Sequence, residues 1–262
     1  RQHPDAKIVA FVHAETSTGV QSDAQTLCAL AKAHDCLSIV DCVTSLGGTE
    51  VALDAWGADA AYSGTQKCLS CAPGLSPISL SQRAVETIKS RKTPVSSWFL
   101  DLNLVMGYWG EGQTRSYHHT APVNALYGLH EALVVLHEEG LASSWSRHTR
   151  NHNALKAGLE AMGLTFVVPE AERLPQLNLV SVPEGVDEAS VRKQLLQQYN
   201  LEIGAGLGSL AGRVWRIGLM GFASNPKNVL FCVNALEAVL SQYNAPIHRG
   251  VATGAVQAAY KA

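Results

Sequence analysis

Three short apolar runs constrain this fold more than any other feature: Ile8 to Val12, Leu37 to Val40 and Ala58 to Tyr62. Each is too short for a helix and reads as a buried strand. Between the first two, Ser22 or Asp23 can cap a helix that places Leu27, Leu30 and Ala31 on one face. Between the second and third lie a Gly47-Gly48 turn and a short helix around Ala52 to Trp56. Strand–helix–strand alternation of this kind predicts a mostly parallel sheet with helices on its faces. Ser76 to Leu80 adds an antiparallel strand, and Ser81 caps a helix running to Ser90.

The second half has a different rhythm. Pro122 opens a long helix, Val123 to Glu139, which Gly140 stops. A second helix covers 143 to 162. Short strands at 164–168, 177–182, 201–203 and 214–217 then surround a helix from Asp187 to Tyr199, and a last helix runs from 225 to 243. This predicts an α/β domain over 1–141, a smaller α+β domain over 142–245 and a tail over 246–262, rich in Ala and Gly and without clear periodicity.

Composition removes several classes of function. Over 262 residues the net charge is only −2, and no basic block alternates with aromatics, so nucleic acid is not an expected partner. No apolar run reaches membrane-spanning length. The six cysteines are scattered, mostly within apolar segments, which reads as reduced thiols and a cytoplasmic location.

The ends of the parallel strands carry the chemistry. Leu37-Ser38-Ile39-Val40 ends in Asp41, and Ala60-Ala61-Tyr62-Ser63-Gly64-Thr65-Gln66 ends in Lys67. The carboxyl edge of an open α/β sheet is where such folds bind ligands. An acid and an amine there suit pyridoxal phosphate: the lysine forms a Schiff base, and the acid keeps the pyridine nitrogen protonated.

Five runs resemble the class V aminotransferases, and the alanine/serine–glyoxylate group most closely. They are His13-Ala14-Glu15-Thr16-Ser17-Thr18-Gly19, Val40 to Gly48, Ser63 to Lys67, Tyr117-His118-His119-Thr120-Ala121-Pro122 and Trp215-Arg216-Ile217-Gly218-Leu219. The resemblance implies the fold type I architecture of pyridoxal-phosphate transferases, with part of the large domain followed by a small α+β domain. It implies that Asp41 pairs with the pyridinium nitrogen and Val43 packs under the ring. Thr16 would bond the phenolic oxygen, Gln66 would lie beside the phosphate, and Lys67 would form the Schiff base. Tyr117 and Thr120 would reach the phosphate of a neighbouring copy, making a homodimer with shared sites. Arg216 would grip the α-carboxylate, for which a planar guanidinium is suited. The substrates implied are small amino acids, alanine or serine, and a 2-oxo acid, glyoxylate.

Other motifs are weaker. Cys68-Leu69-Ser70-Cys71 has the spacing of half a zinc site, with no second pair to complete it. His118 and His119 would face opposite sides of a strand, so no metal is expected there. Gly204-Ala205-Gly206-Leu207-Gly208 is followed by a strand, not by the helix that a dinucleotide fingerprint needs. The chain opens on Arg1 and enters a strand by residue 8, which reads as a start inside a domain. The family's phosphate-binding loop and ring-stacking aromatic have no counterpart before Lys7. Two alternatives therefore stand beside the transaminase: a cysteine desulfurase-like enzyme, although Gln66 precedes the lysine where those enzymes tend to carry histidine, or an inactive dimer-forming fragment.

Overall fold

The structure, a computed structural model, describes residues 3–109, 114 and 116–262. The chain first lays down β1 (Ile8–Val12), the hairpin strands β2 (Ala14–Glu15) and β3 (Val20–Gln21), and α1 (Ala24–Ala33). It continues through β4 (Leu37–Asp41), α2 (Leu53–Trp56), β5 (Ala60–Tyr62), β6 (Ile78–Leu80), α3 (Gln82–Lys89) and α4 (Leu102–Trp109). The long helices α5 (Val123–Glu139) and α6 (Leu141–Ala161) follow, meeting at Gly140. Then come β7 (Leu177–Ser181), α7 (Glu188–Tyr199), β8 (Gly204–Ala205), β9 (Val214–Gly218), α8 (Pro226–Gln242) and α9 (Ala252–Ala259).

Beside the two-stranded β2–β3 hairpin, two larger sheets organise these elements. In the first, with order β1-β4-β5-β6, the first three strands are parallel and β6 is antiparallel. The register pairs Val12 with Asp41 and Asp41 with Tyr62, so three carboxyl ends share one edge. The second sheet, β7-β9-β8, is antiparallel. The fold is therefore the α/β arrangement expected from the sequence, a mostly parallel sheet followed by a smaller antiparallel one.

Local chemistry sets the helix starts. Asp23, Ser81, Asp187 and Asn225 each accept a backbone N–H from the first turn of α1, α3, α7 and α8. The largest core cluster packs α6, α7, α8 and α9 around β9, with Trp215, Leu155, Leu236 and Val233 fully buried. A smaller cluster of Cys28, Val40, Cys42 and Ala61 sits under the parallel sheet.

Several details differ from the sequence reading. Residues 252–259 form α9, whose Ala252 and Val256 are completely buried, so this stretch belongs to the core. The strand expected over 164–168 reduces to a single bridge, Phe166 to Val180, and the one expected at 201–203 forms at Gly204–Ala205. Helix α4 and the β2–β3 hairpin have no counterpart in the sequence pattern. His118 and His119 are not in a strand; their Nδ1 atoms meet at 2.8 Å, because an irregular backbone lets adjacent rings turn toward each other.

Candidate active site

The edge formed by β1, β4 and β5 carries Asp41, and the segments leaving it hold Thr16, Val43, Gln66 and Lys67. Asp41 ends β4 with both oxygens engaged: Oδ1 accepts the Val43 N–H at 2.8 Å, and Oδ2 accepts the Tyr62 hydroxyl at 2.8 Å. Parallel register puts Tyr62 beside Asp41, with both side chains on the same face. Donation to the carboxylate raises the Tyr62 phenol above its ordinary value, keeping it protonated. Sequence alone assigns Tyr62 no role, since only the register reveals its partner.

Beyond β5 the chain makes a tight, well-bonded loop. Ser63 donates to the Cys42 carbonyl, and buried Thr65 donates to the Ala72 carbonyl at 2.6 Å. Gln66 is exposed and folds over Gly64, where any Cβ would lie 2.7 Å from its Oε1. Lys67 is half-buried, and its amine makes no hydrogen bond or ion pair with a described residue.

The second sheet brings Arg216 to the loop after β1. Its Nε donates to the Ala205 carbonyl at 2.6 Å and its Nη1 to the Thr16 carbonyl at 3.2 Å. Gly204 gives it room, since a Cβ there would press on Arg216 at 3.3 Å. Among the described residues no carboxylate pairs with this half-buried guanidinium. Thr16 and Val43, close in sequence to these anchors, are half-buried. Tyr117 and Thr120 bond each other at 2.5 Å on the surface, and neither hydrogen-bonds another of the expected residues among the described ones.

Three of the buried cysteines are poor nucleophiles. Burial pushes the Cys42 thiol up to about 11 and those of Cys68 and Cys232 up to about 12. No metal-holding cluster occurs among the described residues, and no described helix is long and apolar enough to cross a membrane.

Residues 2–223 match the family model for class V aminotransferases. The chain belongs to that family. It is 40% identical, over 97% of its length, to the (S)-ureidoglycine–glyoxylate transaminase of Bacillus subtilis, and covers 65% of that protein. It is 41% identical to the alanine–glyoxylate aminotransferase of Callithrix jacchus, over 89% of this chain and 57% of the relative. The crystal structure of an alanine–glyoxylate aminotransferase from Nostoc sp. superposes with a TM-score of 0.88 at 49% identity, covering 91% of this chain and 63% of that one. The chain thus spans 57–65% of the length of these curated relatives.

Membership of the family implies pyridoxal phosphate. The residues present fit it: a lysine amine unpaired among the described residues follows one strand, and a carboxylate ends the next. A carboxylate has about four acceptor sites, so Asp41 can receive a ring N–H in addition to Tyr62 and Val43.

Proposed function

We propose that the protein carrying this chain is a transaminase that moves the amino group of alanine or serine to glyoxylate. The observation that carries this reading is the shared edge: Asp41 and Lys67 follow adjacent parallel strands, and an arginine without an acid partner among the described residues is tied to the loop beside them.

Pyridoxal phosphate, when bound, supplies a protonated ring that takes up the electron pair released at the substrate α-carbon. The chain's residues do the rest. Asp41 holds the proton on the ring nitrogen, and its fixed orientation keeps that charge pair aligned. Lys67 would hold the cofactor through its amine and, when that amine is free, would take the substrate α-proton and return it on the other side of the transfer. Arg216 uses its remaining N–H groups to orient the α-carboxylate. Thr16 would bond the phenolic oxygen, Val43 would pack against the ring and Gln66 would lie by the phosphate. Tyr117 and Thr120, already bonded to each other, serve the phosphate site of a second copy.

The relatives named for glyoxylate transamination support the acceptor. The choice of alanine or serine as donor rests on the sequence resemblance. Lys67→Ala tests the assignment. Wild type titrated with pyridoxal phosphate gains a saturable visible band and amino-transfer activity, and the variant has neither. Turnover or the band surviving in Lys67→Ala overturns the reading, as does a wild type that never captures the cofactor.

A further inference from the structure

The turn at Gly221–Ala223, three residues beyond β9, is clamped from two sides. On one side lies the loop after Lys67. The Phe222 N–H donates to Ser70 Oγ at 2.8 Å, and a Cβ on Gly221 would fall 1.9 Å from that oxygen and 3.0 Å from the Cys68 carbonyl. With φ at +54°, this glycine is needed for both conformation and space.

On the other side lies α6. The Gly221 N–H donates to His148 Nε2 at 2.9 Å, while His148 Nδ1 lies 2.7 Å from the Ser144 carbonyl. Both partners are backbone groups with fixed roles, so the ring's state follows. Nδ1 carries the proton and Nε2 accepts, which only a neutral imidazole can do. His148 is fully buried, and burial holds its pKa below the ordinary value. The charged groups beside it are Arg147 and Glu139, which satisfy each other through two hydrogen bonds. Arg147 also donates to the Gly221 and Ser224 carbonyls, at 2.7 and 2.9 Å. One turn earlier, Ser144 Oγ donates to the Gly47 carbonyl at 2.7 Å, in the turn that follows Asp41. Helix α6 therefore bonds to the Asp41 turn and to the turn after β9, and the latter sits on the Lys67 loop.

We propose that His148 is a positioning residue: its neutral Nε2 fixes the Gly221 turn against the Lys67 loop and thereby sets where Arg216 holds a substrate carboxylate. This rests on the role given above to Arg216. His148 touches no reacting atom, so its loss acts on the turn and on the carboxylate anchor that precedes it in β9, while Asp41 keeps its own bonds to Val43 and Tyr62.

The test compares wild type, His148→Ala and His148→Gln, whose amide oxygen can accept in place of Nε2. Amide hydrogen exchange over 214–224, read without cofactor, accelerates about tenfold in His148→Ala, as expected for one lost buried hydrogen bond. KM for the amino donor rises about tenfold with kcat within about twofold, because orientation rather than proton transfer is impaired. His148→Gln returns both within about threefold of wild type. Faster exchange with an unchanged KM overturns the proposal, as does a fall in kcat alone, or a glutamine variant no better than alanine. Nitrogen NMR of the wild-type ring decides the case if the variants fail to fold: an Nδ1–H neutral tautomer supports the clamp and an Nε2–H tautomer overturns it. A wild type without cofactor band or turnover sinks the transaminase reading instead, and the exchange and tautomer measurements then judge the clamp by themselves.

Discussion

Tyr62 shows how much of this site depends on a single register. Its hydroxyl holds one oxygen of Asp41 while the Val43 N–H holds the other. Tyr62→Phe frees the carboxylate to rotate. The ring is 41% exposed, so stability changes by less than about 1 kcal/mol. Cofactor affinity falls by about three- to tenfold, read by spectral titration, because the aspartate must be re-ordered on binding. Unchanged affinity would mean that Tyr62 does not orient Asp41. His13 makes a second prediction at this scale. It is 2% exposed, packs edge-on against Trp56, and burial lowers its pKa to about 4. The unfolded chain takes up a proton near pH 6.5 that the folded chain refuses until about pH 4, so stability is lost as pH falls through that window. The shift corresponds to about 3 kcal/mol. Buried His148 and His152 shift in the same direction and add to the slope. Urea unfolding at pH 7 and pH 4.5 measures the loss, and His13→Gln reduces it. Asp41 and Lys67 are legible in the sequence because a charge follows each apolar run, at once for Asp41 and after four small or polar residues for Lys67, at the edge where parallel sheets bind ligands. Tyr62 and His148 are not, since their partners are set by register and by packing between distant segments.

At the scale of elements, α6 and α9 explain what sequence patterns conceal. Ser144, Arg147, His148, Asn151 and His152 fall along one side of α6 and, by composition, would read as a solvated stripe. Instead Ser144, His148, Asn151 and His152 are buried, because the turn after β9 and the sheet itself supply partners. His152 bonds Asn178 of β7, which donates to the Ile217 carbonyl. Asn151 donates to Ser224 and accepts from Tyr260. Helix α9 is hidden in the sequence because Ala252 and Val256 are too small to mark an apolar face, and the match is made by Gly158 on α6. A Cβ at 158 would lie 2.6 Å from Val256 Cγ2 and 3.2 Å from both methyls of Val233. Both valines are stiff at χ1 and cannot swing aside. Gly158→Ala therefore loses about 1–2 kcal/mol by overpacking, after the alanine's gain in helix propensity. Val256→Ala alone loses about 1–2 kcal/mol from the missing methyls. Together they lose less than the sum, since the new methyl fills the vacated space. Chemical denaturation of the four proteins measures this, and strict additivity would show that the two helices do not interlock at 158 and 256.

For the whole molecule the question is what covers its aromatic surface. Trp98, Phe99, Trp109 and Tyr117 are each more than half exposed. Ring contacts join them through Tyr108, His118 and His119 into one cluster. On α5, Val123, Leu126 and Tyr127 are exposed as well, Tyr127 by 73%. A contiguous apolar patch of this kind marks an interaction surface, and it holds Tyr117 and Thr120, the pair read as serving another copy's phosphate. If a second copy covers the patch, each site draws Lys67 from one subunit and Tyr117 and Thr120 from the other. Two inactive variants, Lys67→Ala and Tyr117→Ala/Thr120→Ala, should then rescue each other on mixing after dissociation. Random pairing makes half the dimers mixed, and each mixed dimer holds one intact site of two, so about one quarter of wild-type activity returns. Light scattering establishes the dimer separately. Mixed dimers that form and stay inactive would place Tyr117 and Thr120 outside the shared site, leaving the patch as a purely structural contact.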